Sequence, residues 1–134
     1  MLNRGYLDAL PETANTYGVG LLDDEKVVFT AALSMFGTET DRLLGAGNSR
    51  FTLTNKRMIA DNGVGVWTVD ILDDMTSCTK IEQGKLIFKS VYFSVTLNTE
   101  IIFDDGKQKL NGFHFYFNKK DATRFEEIMS NALN

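Results

Sequence analysis

Phe51-Thr52-Leu53-Thr54-Asn55-Lys56-Arg57-Met58-Ile59 decides how this chain is read. Phe51 and Leu53 alternate with threonines, the period of a strand with one buried face. Asn55-Lys56 is a polar break, and Asn turns a chain by bonding its own backbone. From Arg57 to Ala60 the strand pattern resumes. The segment therefore predicts two short antiparallel strands joined by a tight turn.

The same alternation extends in both directions. Lys26-Val27-Val28-Phe29-Thr30-Ala31-Ala32-Leu33-Ser34 is β-rich and predicts a first strand. Residues 37–48 are polar, with Gly45 and Gly47, and predict a loop. Asp61-Asn62-Gly63 is a turn signal, because Asn-Gly accepts positive φ. Beyond it Trp67, Val69 and Ile71 alternate with Val66, Thr68 and Asp70, and Met75 to Ile81 supplies another strand. Val91, Phe93, Val95 and Leu97 point one way, and Tyr92, Ser94, Thr96 and Asn98 the other. Such regularity implies one dry and one wet face. After the turn Asp104-Asp105-Gly106-Lys107, Phe113, Phe115 and Phe117 face inward with His114 and Tyr116 opposite.

The chain closes on a helix. Asn118 is a good N-cap with Asp121 three residues on. Ala122, Phe125, Ile128, Met129, Ala132 and Leu133 repeat at helical spacing. At the other end Leu2, Tyr6, Leu7 and Leu10 form a short helical pattern that Pro11 breaks. The expected core includes Trp67, Phe93, Val95, Phe115 and Phe125.

The run Leu53-Thr54-Asn55-Lys56-Arg57 with a hydrophobic residue after it resembles the second and third strands of bacterial pleckstrin-homology-like and GRAM-like domains. About seven strands followed by one helix is also similar to their order. The resemblance implies a mainly β fold: a bent seven-stranded antiparallel sheet or barrel capped by the C-terminal α-helix. It implies a domain over 24–134 and a bacterial source. The short N-terminal helical arm, 1–23, departs from the family's pattern, and a start with no apolar leader pattern predicts a cytoplasmic setting. The element order also allows a small β-barrel or lipocalin-like fold with a terminal helix.

The 134 residues suit one domain with a single core. A formal charge of -4 opposes nucleic acid and anionic lipid at long range. A single cysteine allows no intrachain disulfide, compatible with a reducing cytosol. No stretch reaches the ~18 apolar residues of a membrane helix.

Chemistry is sparse. Asp23-Asp24, Asp73-Asp74 and Asp104-Asp105 fall at expected turns, where Asp is favoured for its backbone bonds. His114, the single histidine, has no Cys/His cluster around it that would hold zinc. Cys78 sits on a strand with nothing local but Lys80 to activate it. Neither Gly18-Val19-Gly20 nor Gly45-Ala46-Gly47 completes a phosphate loop. No catalytic, cofactor-binding or metal residue is therefore expected.

Two possible contact sites stand out. Lys56 and Arg57 together form an anion or partner contact, with Lys26 or Arg50 in support; the bland reading is a solvated hairpin. Phe36, Leu43 and Leu44 are apolar residues at a loop, and form an interface if they are exposed. Glu39 and Asp41 in that loop argue against phosphoinositide binding. The expected function is a non-enzymatic interaction module that binds protein partners or self-associates as a homo-oligomer. The alternative is a carrier of lipid or a small apolar ligand in the bent sheet.

Overall fold

A computed structural model describes residues 3–37, 49–61, 66–70, 75–83, 90–102 and 109–133. Among these residues two helices and seven strands follow one another as α1 (Arg4–Ala9), β1 (Val27–Gly37), β2 (Ser49–Thr54), β3 (Arg57–Asp61), β4 (Val66–Asp70), β5 (Met75–Gln83), β6 (Ser90–Ile102), β7 (Lys109–Phe117) and α2 (Lys119–Ala132). The strands form one sheet in the order β4-β3-β2-β1-β7-β6-β5, and every pairing is antiparallel.

The bend is built into β1. Its first part, Val27 to Leu33, pairs with β2, and Leu33 to Gly37 pairs with β7. Leu33 is opposite both Ser49 and Phe117, and the register shifts just after it. One strand thus serves both halves of the sheet, and such irregularities sharpen a strand's twist. A second shift, between Thr96 and Ile101, lies beside Gly112 on β7. A Cβ on Gly112 would stand 2.9 Å from the Val95 carbonyl oxygen, so the close approach there requires glycine.

Phenylalanine fills the space inside. Phe51, Phe115 and Phe125 are fully buried, and Phe29, Phe93 and Phe117 nearly so. Phe51 meets Phe115 edge-on at 5.0 Å and Phe125 at 5.4 Å; Phe93 meets Phe125 at 4.8 Å. Edge-to-face contacts like these are favoured by the ring quadrupoles. Phe125 comes from α2, whose apolar stripe Ala122, Phe125, Ile128, Met129 and Ala132 closes the core as its spacing predicts. Asn118 caps that helix, its side chain accepting from the Asp121 N–H at 2.9 Å. The side chain of Trp67, expected in this core, lies outside the described residues.

The N-terminal segment lies against its own sheet. Leu7 of α1 belongs to the same core as the phenylalanines and is fully buried. The Asn3 N–H donates to the Ala132 carbonyl, joining α1 to the end of α2. Residues 11–25 then run beside β1 and β2. Thr13 N–H donates to the Val27 carbonyl at 2.8 Å, Thr16 and Thr30 hydroxyls meet at 3.4 Å, and the Arg50 guanidinium lies over the Tyr17 ring at 5.6 Å.

This cover explains a departure from simple alternation. Phe51 to Asn55 are all buried, including Thr52 and Thr54 on the face expected to be wet. Tyr92 departs likewise. It is buried at the outer face, stacked on Tyr116 at 4.9 Å and against His114 at 4.6 Å. Aromatic neighbours on adjacent strands cover one another there, which a period of two does not register.

Candidate functional site

The β2–β3 turn is where the N-terminal segment meets the sheet, and its polar side chains hold that meeting. Thr54 organises the turn first: its hydroxyl oxygen accepts from the N–H groups of Lys56 at 3.0 Å and Arg57 at 2.8 Å. The same hydroxyl donates to Glu25 Oε2 at 2.6 Å. Asn55 ties in three segments. Its Oδ1 accepts from the Lys26 N–H at 2.9 Å, and its Nδ2 donates to Asp8 Oδ1 at 2.8 Å and the Asp24 carbonyl at 3.2 Å.

Arg57 is turned toward Glu25. Its Nε donates to Oε2 at 2.8 Å and its Nη2 to Oε1 at 2.6 Å, a two-point pairing that suits a planar guanidinium. Nη2 also donates to the Gly20 carbonyl at 2.8 Å. Glu25 Oε1 accepts once more, from the Leu22 N–H at 2.8 Å, and the Glu25 side chain has no exposed surface. These bonds outweigh the burial and hold the Glu25 carboxyl at about 2, well below the usual carboxylate range. They fasten the connector to the sheet.

Beside this clasp is an open pocket of about 360 Å³ lined by Arg4, Asp8, Asp24, Lys26, Asn55 and Lys56. Lys26 Nζ donates to the Asp8 carbonyl and Lys56 Nζ to the Asp23 carbonyl, each at 2.6 Å. Both ammonium groups are thus held by neutral oxygens. Asp8 is occupied by Asn55 and faces Arg4 Nε at 4.0 Å. Asp24 takes a positive φ of 60°, which Asp and Asn adopt more readily than most residues.

The structure therefore separates two neighbours in sequence. Lys56 stands on the pocket with Lys26, while Arg57 reaches to Glu25. Arg50 lies on Tyr17 and does not line the pocket. The side chain of Phe36 and residues Leu43 and Leu44 lie outside the described residues, as do Glu39, Asp41, Asp73, Asp74, Asp104 and Asp105. His114 is half-buried against Tyr92. Cys78 packs at the margin of the core, and burial pushes its thiol up to about 12, away from a reactive thiolate. Among the described residues no group of three or more His, Cys, Asp or Glu is placed to hold a metal ion.

The sequence did not reveal Glu25, Asp8 or Arg4 as parts of this site. Glu25 and Arg57 are 32 residues apart, and no local spacing reports such a pair. The one available signal was Thr54 and Asn55 themselves, two side chains able to bond a backbone in a turn already rich in charge.

No protein-family model matches the sequence, and none of the curated proteins matches it. Among solved structures the chain is similar to the Vps36 N-terminal PH domain, with a TM-score of 0.61 and 19% identity over 92% of this chain and 90% of that one. At that identity the likeness concerns the fold. A bent antiparallel sheet closed by a C-terminal helix, superposing on a PH domain over nearly its whole length, is a pleckstrin-homology-like fold.

Proposed function

We propose that this chain is a non-enzymatic interaction module that takes an extended segment of a protein partner, or of a second copy, along the outer edge of β5. In this reading residues 1–23 are an arm built onto a domain of residues 24–134, and the setting is cytoplasmic. The observation that carries it is the strand order. β5 ends the sheet and, among the described residues, pairs with β6 alone. An edge strand presents unpaired N–H and C=O groups, and adding a strand is a recurring way to bind a peptide.

α2 reaches β5 through an ion pair. Lys80 on β5 bridges to Glu126 on α2 at 2.8 Å and to Glu82 at 3.3 Å. Thr76, Thr79, Lys80 and Glu82 are exposed, so a bound segment meets polar and charged side chains along its length. The carrier reading draws less support. A carrier needs an unfilled apolar cavity, and the phenylalanine rings occupy the interior at mutual contact distances.

The test joins light scattering, from micromolar to millimolar protein, with capture of partners from a cell extract. Each is run on the wild type and on Thr76→Pro. Thr76 sits at the register shift between Met75 and Ser77, where a proline costs least in ladder bonds. Association that Thr76→Pro abolishes, with the fold retained by circular dichroism, is the expected result. A chain that stays monomeric and captures nothing contradicts the proposal.

A further inference from the structure

We infer that the pocket between α1 and the β2–β3 turn is an oxyanion site that takes a phosphate group. It is independent of the β5 edge. Three cations reach the pocket from three separate segments: Arg4 from α1, Lys26 from the entry to β1, and Lys56 from the turn. Their convergence is not a consequence of neighbouring sequence. It exists because Asn55 and Asp8 lock α1 onto the turn.

The two lysines are poised for a ligand. Each donates one hydrogen bond to a backbone carbonyl, which fixes the ammonium group without cancelling its charge. Each keeps two further N–H donors. Among the described residues neither has a carboxylate in ion-pair contact. The chain as a whole is acidic, at -4, so this is a local reversal of sign. Of the two carboxylates on the pocket, Asp8 already accepts from Asn55 and faces Arg4. Asp24 is the opposing charge, and among the described residues it has no ion pair.

A tetrahedral phosphate oxyanion matches these donors, since ammonium groups bind phosphate as point charges from any direction. The pocket's volume leaves room for a substituent on the phosphate. The source is either free phosphate or a lipid phosphomonoester. Leu21 and Leu22, 40% and 55% exposed, precede Asp23 and Asp24 on the same connector and give an apolar tip beside the lysines. That tip matters only for a lipid.

The experiment titrates isotope-labelled full-length protein with inorganic phosphate and follows backbone amide shifts at low salt. In parallel, sedimentation measures binding to phosphatidylcholine vesicles with and without phosphatidic acid. Saturable shifts at Lys26, Asn55 and Lys56 are expected in the first arm for a free phosphate. Binding that needs phosphatidic acid and falls on Leu22→Ser identifies the lipid. Lys56→Gln weakens either by roughly tenfold, since a hydrogen bond to a charged group is removed. Asp24→Asn keeps the backbone conformation, removes the opposing charge, and strengthens binding by roughly two- to five-fold. An exposed α2 variant, Lys120→Gln, leaves it unchanged. Asp24→Asn is decisive because a structural role predicts no gain. If neither phosphate nor phosphatidic acid binds at the pocket, or if Lys56→Gln and Asp24→Asn both leave binding unchanged, the inference is overturned.

Discussion

Glu25 shows what a buried charge requires. Burial by itself raises its pKa, because the low-dielectric interior disfavours the ionised form. Hydrogen bonds from Arg57, Thr54 and the Leu22 N–H, with the Arg57 charge, bring it down from 4.5 to about 2. A carboxyl depressed in the folded state contributes stability that is present above 4.5 and is lost as pH falls toward 2. The shift corresponds to about 3 kcal/mol. Urea unfolding between neutral pH and pH 2 should show that loss in the wild type and a flatter profile in Glu25→Gln. At neutral pH, Arg57→Met leaves the carboxylate buried and unpaired and should cost roughly 3–5 kcal/mol. A cost under half a kcal/mol would mean that the clasp is solvated. Cys78 follows the opposite course, its thiol raised to about 12 by burial. At neutral pH it should react with a thiol reagent far more slowly in the native protein than in urea.

At the scale of elements, α1 and α2 both act by delivering side chains to the sheet. Leu7 is fully buried although its helix spans only six residues. So short a helix has little stability alone, and packing must hold it. Leu7→Ala should therefore cost about 2–5 kcal/mol, and Phe125→Ala about 3–5 kcal/mol, in urea unfolding. Loss of less than half a kcal/mol at Leu7 would mean that α1 is not part of the core. Gly112→Ala should cost roughly 1–3 kcal/mol, because its methyl meets the Val95 carbonyl and the strands must part.

These elements also mark what the sequence carried. Phe51, Phe93, Phe115 and Phe125 were legible as core because period-two and helical spacings report burial directly. The Asn118 cap was legible because its bond is three residues long. The clasp was not, since Glu25 reaches Arg57 only after the connector folds back across the sheet. Nor was the dry outer side of β2 visible, because what covers Thr52 and Thr54 comes from elsewhere in the chain. Of the expected Lys56–Arg57 pair, the turn itself was legible but the different partners of the two side chains, Asp23 for Lys56 and Glu25 for Arg57, were not.

For the whole molecule, the fold combines a filled interior with an unclosed sheet. The rings of Phe29, Phe51, Phe93, Phe117 and Phe125 share the core, and β4 and β5 stand at the two ends of the strand order. No helix among the described residues is long and apolar enough to cross a membrane. In the proposed function β5 receives another strand. Amide hydrogen exchange along Met75–Gln83 tests it most directly, compared between the dilute free chain and the associated state, whether self-associated or bound to a captured partner. Amides that point away from β6 should exchange fast when free and gain protection together on association. Association that leaves β5 exchange unchanged and protects another surface would contradict the claim.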